Sequence, residues 1–577
     1  MIVGMDMGGT NIDGALIDQG KILNQVKQAV DRTDLFGTIW SCLMALLEGT
    51  DPQAIERIHL STTISTNAIV EDQTAKVGLV LQTGPGLVWP YDSLTPEVHY
   101  LPGATDHRGK VTDPLPKAAL ETLAKDLPHE KPEALAICCK FSTRNPETEN
   151  RIQEYLQGKI PFISLGHRMS GKLNFPRRVQ TAYLNAAVSP TFANFAKAFQ
   201  EALAAKGIQA PVAILKADGG TLALDQAVEK PVESILSGPA ASFMGSEALF
   251  GPTDQDLILL DVGGTTTDIF FLVDGVPVFE PKGIEIAGHK TLVRAIFSRS
   301  IGLGGDSYVR AEEGVLKIGP RRLGPAIVFG GDQLTPTDAL AYLGKLGDHW
   351  ASASPGSQEA GGAGQKETLR EYLPKIEEKL VELNKALALD QTPQALAEQI
   401  LHTFSKLLRD TLDGLIEELS SHPVYTIREL LTDRTLIPVG IRLLGGPAQA
   451  LKPYLEEALG LPVEVPERFE VANAVGAALA RPTAEIHLLA DTQQGWCLIP
   501  ELDFRQKIGK SFNLDQAKDL ALTKVRDLGE AMGLGAEELE AELTEAESFN
   551  MIEDYGPIFR NIRVQAQIRP GLRKGGQ

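Results

Sequence analysis

Cysteine is scarce in this chain: 577 residues contain four, Cys42, Cys138, Cys139 and Cys497. None shows CxxC spacing, which excludes a structural zinc knuckle or a disulfide framework as an organising device. Cys138 and Cys139 lie in the mostly apolar run 134–141 and are expected in a buried strand. No apolar run reaches the roughly 18–20 residues of a membrane span. Basic charge is also short. The 55 Lys and Arg against 75 Asp and Glu leave a formal net charge of -20 and a pI near 5.1. Such a surface cannot neutralise a phosphate polymer, so nucleic acid or an anionic membrane is not expected as the main partner. The opening MIVGMDMGGT lacks the basic n-region of a signal peptide and reads as a first strand, and a cytoplasmic location is expected. Catalytic signatures are missing too. There is no H-E-x-x-H or HxH spacing, so His59, His167 and His289 are expected to be ordinary surface or hydrogen-bonded residues. No Ser-His-Asp order, nucleophile elbow or G-x-x-x-x-G-K phosphate loop is visible.

What is present is an internal repeat. The segment from Asp6 to Asp13 (DMGGTNID) resembles Asp261 to Asp268 (DVGGTTTD), 255 residues downstream at both ends (261 − 6 and 268 − 13). Gly20 and Gly275 keep that offset. An apolar run precedes and follows each glycine turn, the pattern of a β-hairpin. Glycines let backbone N–H groups approach phosphate oxygens without a Cβ in the way. The loops therefore offer Gly8, Gly9, Thr10 and Asn11 on one side, and Gly263, Gly264, Thr265 and Thr266 on the other. Asp6 and Asp261 would repel a bare phosphate. They make sense if Mg2+, mostly through its waters, lies between carboxylate and phosphate, so both are assigned as metal ligands. Asp13 and Asp268 follow the glycines and are read as orienting the loops through local hydrogen bonds.

Other glycine turns follow. A strand-like run at 439–444 leads into Gly445-Gly446-Pro447 and a helical pattern from about Ala448 to Gly460, a turn suited to pass close to adenine or ribose. The turn Gly302 to Asp306, with Gly304 and Gly305, follows the second loop as a further phosphate contact would. The segment 471–480 (VANAVGAALA) has the small residues of a closely packed helix.

Two phosphate loops, an adenosine turn and a small-residue helix, in that order, resemble the actin, sugar kinase and Hsp70 ATPase superfamily. The longer resemblance is to the hydantoinase A, 5-oxoprolinase and acetone carboxylase β-subunit family. It rests on Ser61 to Glu71 (STTISTNAIVE), residues 136–155 with Asn145-Pro146, Gly219-Gly220, Ser237 to Ala241 (SGPAA), Asp261 to Asp268, Gly302 to Ser307 and Pro336 to Ala339 (PTDA). It runs through roughly the first 340 residues and resumes near 443–480. The family often shows His-Gly before its Thr-Thr; here Leu60-Ser61 stand there, so no role of that histidine carries over.

The resemblance implies a two-lobed, actin-like (ribonuclease H-like) α/β fold. Residues 1–235 form the first lobe, with an inserted α/β portion at about 61–180. Residues 236–481 form the second, with a helical insertion at about 345–435. Residues 482–577 form a small C-terminal α+β region in which this chain departs from the family. A long helix is expected over 180–206, a mobile surface loop over 352–365, amphipathic helices over 367–418, and helices over 511–533 and 537–547 before a strand at 560–568.

The implied chemistry is ATP-dependent. Mg-ATP phosphorylates a carbonyl or amide oxygen, and the activated substrate is opened by water or carboxylated. The leading activity is hydrolysis of a cyclic amide of the hydantoin or 5-oxoproline type. An ATP-hydrolysing ketone carboxylase subunit and an ATPase that activates a partner enzyme stand as alternatives. A hydantoinase B-like subunit is the implied partner, and a homo-oligomer is left open. Asp306 and Asp338 are candidate general bases or metal contacts, with capping as the competing reading for each, since Asp338 opens a helical pattern. Thr62, Thr63, Thr66 and Asn67 form a polar cluster read either as a helix start or as part of the cleft.

Overall fold

A computed structural model of the chain describes residues 1–8, 11–31, 33–86, 90–280, 282–346, 362–421, 436–551 and 558–573. The repeat seen in sequence is a repeat in three dimensions. Strand Ile2–Met7 pairs antiparallel with Asn11–Asp18, placing Asp6 opposite Asp13. Strand Leu257–Val262 pairs with Thr267–Val273 in the same register, placing Asp261 opposite Asp268. A one-residue slip would send each aspartate to the other face of its sheet, so register and site are set together. On its other side each hairpin meets a parallel strand, Arg57–Ser61 in the first lobe and Gly440–Leu444 in the second. These strands are apolar runs such as Leu257–Leu260, buried on both faces, as sheets covered by helices require.

Two helices join the lobes. Ser237–Phe250 and Ala472–Leu479 cross at Gly245 and Gly476, where a Cβ on Gly476 would lie 2.2 Å from the Gly245 nitrogen. The second helix also lies on strand Ile2–Met7, where a Cβ on Gly4 would meet the Ala474 carbonyl at 2.0 Å. Gly476 is therefore a packing residue.

Between strand Arg57–Ser61 and helix Phe175–Ala205 the chain builds a separate four-stranded sheet. Its order is Phe162–Leu165, Ala134–Cys139, Val77–Gln82, Val98–Tyr100, and every pairing is parallel. Cys138 and Cys139 are buried within it. Helices Gly362–Ala386 and Pro393–Ser421 bury Ile376, Leu380, Leu396 and Phe404 in the second-lobe core. Of the loop expected over 352–365, residues 352–361 lie outside the described residues, and 362–365 belong to the first of these helices. No helix among the described residues is long and apolar enough to cross a membrane.

The C-terminal region is a five-stranded antiparallel sheet, Phe504–Lys507, Trp496–Ile499, Glu485–Asp491, Phe559–Ile568 and Ala541–Met551, backed by helix Leu514–Ala531. The helix expected over 537–547 is a correction: this stretch contributes the edge strand Ala541–Met551. Its Glu and Ala residues favour helix locally, but the ladder with Phe559–Ile568 outweighs propensity, and Glu side chains are tolerated on an exposed edge.

Two buried histidines tie this region to the inserted sheet. His167 Nδ1 lies 2.6 Å from Glu149 and its Nε2 lies 3.0 Å from Asp503. His487 Nδ1 lies 2.6 Å from Glu501, which also accepts from the Gly171 N–H at 2.7 Å. Burial pulls both imidazoles down, but the flanking carboxylates prevail and hold both above the ordinary value of 6.5.

Two predictions arise from this packing. Gly476→Val should cost about 3 kcal/mol or more in urea denaturation, because backbone atoms block the new side chain. Gly414→Ala, on an exposed helix face with open space around it, should stabilise by about 0.5–1 kcal/mol. Equal small effects would contradict the crossing. The histidine contribution is complete below the ordinary imidazole value and is lost as pH rises through the raised folded values. Hydrogen exchange over 485–507, corrected for intrinsic rates, should lose protection as pH rises above the ordinary imidazole value of 6.5. His167→Gln should remove most of that difference; unchanged protection in the native chain would contradict the docking role.

Candidate active site

Each hairpin turn closes on one equivalent hydrogen bond: Gly8 N–H to the Asn11 carbonyl, and Gly263 N–H to the Thr266 carbonyl, both at 2.9 Å. Beyond that bond, the N–H groups of Gly264 and Thr265 have no acceptor among the described residues. They are the free donors that a phosphate-binding turn needs. The first-loop residues Gly9 and Thr10 lie outside the described residues.

Three glycine turns far apart in sequence meet at the second loop. Gly305 N–H donates to the Gly263 carbonyl at 2.9 Å, and Asp306 N–H donates to the Gly264 carbonyl at 2.6 Å. A Cβ on Gly304 would stand 2.6 Å from the Gly264 oxygen. Gly445, with φ of +93°, packs behind the strand, where a Cβ would lie 2.1 Å from the Val262 carbonyl and 2.8 Å from Asp261 Oδ1. Gly446 follows in the same turn, before helix Ala448–Leu459. A Cβ on Gly305 would lie 3.7 Å from Pro447, so the turns at 304 and 445 are neighbours.

The two repeat aspartates converge. Asn473, at the start of the small-residue helix, places its Nδ2 3.2 Å from Asp6 Oδ2 and 3.3 Å from Asp261 Oδ2. Ser242, on the other crossing helix, donates to Asp261 Oδ2 at 2.6 Å. Asp6 Oδ1 is buried without a partner. Burial, with Asp13 and Asp261 nearby, pushes the Asp6 carboxyl up to about 7 against the hydrogen bonds from Ser61 and Asn473. Burial and Asp261 push Asp268 up to about 7. Asp261 itself is raised by burial. Lys27 is the cation closest to hand, but it is engaged with Asp13 at 2.8 Å. Among the described residues the site thus gathers four carboxylates with one lysine, itself paired with Asp13.

The other predicted residues divide. Asp306 stands at the rim of the second loop, held by Arg322 at 2.9 Å; burial raises its carboxyl against that guanidinium. Asp338 is a correction. Its carboxylate accepts from Val328 N–H at 2.9 Å, Thr335 N–H at 3.0 Å and the Thr335 hydroxyl at 2.8 Å, and the residue is 0% exposed. It closes a capping box on helix Pro336–Tyr342 and is not free to act as a base or ligand. Ser61 lies opposite Asp6 in the sheet, which puts Thr62 and Thr63 just beyond it; Thr62 Oγ1 accepts from Ile64 N–H at 3.3 Å and Thr66 Oγ1 from Leu236 N–H at 3.0 Å. His59 is buried with Nδ1 on the Ala477 carbonyl, a packing role. Asn473, Ser242, Lys27 and Arg322 were not anticipated from sequence. The lone amide in an otherwise small and apolar helix was the available signal for Asn473.

Among the described residues no three His, Cys, Asp or Glu side chains form a cage for a metal. Two carboxylates facing one point, one with an unpartnered buried oxygen, suit an ion that keeps most of its waters.

Duplicated hairpins facing across crossing helices define the two-lobed, actin-like fold. Acetone carboxylase shares it over 100% of this chain and 88% of that one, with a TM-score of 0.68 at 15% identity. So does the ATP-dependent caprolactamase of Pseudomonas jessenii, over 99% of this chain and 88% of that one, at 0.66 and 20%. The chain belongs to the hydantoinase/oxoprolinase family. The profile of that description matches residues 178–486, and the hydantoinase/oxoprolinase N-terminal region matches residues 2–160. Among curated proteins, caprolactamase subunit alpha of P. jessenii is 27% identical over 381 residues, 60% of this chain and 55% of that protein. 5-Oxoprolinase 1 of Arabidopsis thaliana is 25% identical over 334 residues, 50% of this chain and 26% of that protein. The chain spans about half the length, or less, of the curated relatives it matches.

Proposed function

We propose that this chain is the ATP-using component of a cyclic-amide hydrolase, with the nucleotide held between the two hairpin loops. The observation that carries this reading is the convergence of Asp6 and Asp261 on one amide nitrogen of Asn473. Two like charges held together in a buried cleft are costly unless a cation joins them. Mg2+ fits, held by Asp6 and Asp261 largely through water, and when bound it would neutralise the nucleotide phosphates.

The chain's own groups then have distinct tasks. The N–H groups of Gly264 and Thr265 and the Thr265 hydroxyl bind phosphate oxygens. Gly445 and Gly446 give the nucleoside a side-chain-free approach. Asn473 and Ser242 fix both carboxylates so that they need not reorganise during transfer. Asp306, oriented by Arg322, is the acid–base candidate beside the transferring group. Phosphoryl transfer asks little more of a protein than this positioning. The amide oxygen of a lactam, hydantoin or 5-oxoproline attacks the γ-phosphorus and ADP leaves. Water adds to the activated carbon, the ring C–N bond breaks with the amine leaving, and a second water converts the acyl phosphate to carboxylate and phosphate.

The named relatives, a caprolactamase subunit and a 5-oxoprolinase, support the cyclic-amide class. Carboxylation of a small ketone is the second reading, favoured by the shared fold of acetone carboxylase. Either reading calls for a second, hydantoinase B-like subunit. An acyl or enol phosphate is lost if it meets bulk water before its next step, so a partner closing the cleft keeps the reaction coupled. A cytoplasmic setting, with its ATP supply, suits this activity.

The chain alone, with Mg-ATP and a panel of lactams, hydantoins, 5-oxoproline and small ketones, should show slow ATP hydrolysis with little product. Adding the partner subunit should couple the two. Asp261→Asn should lower ATP turnover by about 10²–10³-fold while leaving thermal unfolding cooperative. Unchanged turnover in that variant would overturn the site, and coupled ketone carboxylation without lactam hydrolysis would overturn the substrate class.

A further inference from the structure

A cleft of about 450 Å3, open solvent at its mouth included, lies between the inserted parallel sheet and the C-terminal sheet. The proposed chemistry does not use it. Its floor comes from the turn holding Arg108 and the turn holding Arg144 and Asn145. The second turn follows the carboxyl end of the parallel strand Ala134–Cys139, and the first is the tip of the antiparallel hairpin Ala104–Thr105 and Val111–Asp113, downstream of Val98–Tyr100. The chain enters this sheet at Val77–Gln82, goes first to Val98–Tyr100 on one side, and then returns to Ala134–Cys139 on the other. The strand order therefore reverses beside Ala134–Cys139. In open parallel sheets, the crevice outside the carboxyl ends at such a reversal is where ligands bind.

The two turns are locked together. Asn145 Nδ2 donates to the Gly109 carbonyl at 3.0 Å, and a Cβ on Gly109, which has φ of +85°, would lie 2.7 Å from the Arg144 carbonyl. The C-terminal sheet supplies Asp491, Trp496, Arg505 and Asn561 as the opposite wall.

Charge in this cleft does not balance. Arg108 is engaged in a two-point pair with Asp491, Nε to Oδ2 at 3.0 Å and Nη2 to Oδ1 at 3.1 Å. Arg505 bonds Glu147 at 3.1 Å and lies 4.0 Å over the Trp496 ring. Arg144 has no side-chain hydrogen bond or ion pair among the described residues, and its Nε is sealed from solvent. The charged groups that act on it are Arg563, which repels it, and Asp491, already engaged. Burial, with Arg563, brings its guanidinium down to about 10, a cost that the already engaged Asp491 offsets only in part. Asn561 Oδ1 is also buried without a donor. A residue with an unpaired guanidinium, one with an unmet acceptor and an aromatic residue thus line the same cleft, in a chain whose net charge is -20.

We propose that this cleft is a second ligand site, taking a small organic carboxylate that also carries an N–H or O–H donor, with the carboxylate on Arg144 and the donor on Asn561. A guanidinium matches a carboxylate at two points. The unmet Asn561 oxygen calls for a donor, which acetate lacks at neutral pH, and Trp496 suits an organic body, which inorganic phosphate lacks. The inference rests on this cleft alone and does not depend on the reading of the ATP cleft.

The full chain, titrated calorimetrically with 4-aminobutyrate, N-acetylglycine, acetate and inorganic phosphate, should bind the first two saturably. Acetate and phosphate should bind at least about tenfold more weakly. Arg144→Met should weaken the two donor-bearing acids by about tenfold or more. It should leave Mg-ATP hydrolysis intact and the unliganded Tm equal or higher, because an unpaired, partly buried charge is removed. A purely structural arginine would instead lower Tm on substitution. Arg144→Lys keeps the charge without the fork; it should fold even if the methionine variant does not, and should also bind more weakly. The proposal is overturned by no saturable binding to the native chain, by equal affinity in both variants, or by phosphate binding more tightly than either donor-bearing acid.

Discussion

The cleft depends on backbones that touch. Gly4, Gly245 and Gly476 allow a strand and two helices to approach to distances that any side chain would prevent, 2.0–2.2 Å for a notional Cβ. Only at that spacing does the start of helix Ala472–Leu479 bring one amide within reach of carboxylates on two different sheets. Separate the helices by one methyl group and Asn473 no longer bridges Asp6 and Asp261. The lobes then carry two unrelated glycine turns. Packing density at a crossing of small residues is thus the condition on which the electrostatics of the site rests.

The electrostatics follow from that closeness. Asp6, Asp13, Asp261 and Asp268 lie near one another, with Lys27 committed to Asp13. A folded chain holds such a group only if something else at work restores neutrality, and a site that costs stability when empty is a common mark of function. The arginine cleft beneath the C-terminal sheet shows the same logic with the opposite sign. Arg144 is unpaired where the acidic chain has carboxylates in excess elsewhere. The His167–Asp503 contact, and Glu501, which His487 orients toward the Gly171 N–H, hold the C-terminal sheet over that cleft.

Much of this was legible in the residues. The constant offset between Asp6 and Asp261 carried the hairpins, their register and their equivalence, because a β-hairpin is a local structure with a local signature. The glycine turns at 304 and 445 were visible for the same reason, although nothing in sequence said that the first would back onto Gly263 and Gly264 and the second onto Asp261 and Val262. Asn473 and Ser242 act through tertiary contacts with partners 19 or more residues away, Lys27 meets Asp13 only across a strand pairing, and a lone amide or hydroxyl in a helix carries no pattern. Asp338 looked catalytic because it follows a turn, and its capping box accounts for it fully. The segment 541–551 looked helical because Glu and Ala dominate it, and only the neighbouring strand reveals its state.

The central claim is that one nucleotide-bound metal is shared by the two repeats. A crystal structure of the full chain with Mg2+ and a non-hydrolysable ATP analogue tests it directly. The account predicts a single metal between Asp6 and Asp261, linked to both through one water or less, with the terminal phosphates on the N–H groups of Gly264 and Thr265. A nucleotide bound elsewhere, or a metal coordinated from one lobe with the other aspartate turned away, would contradict it.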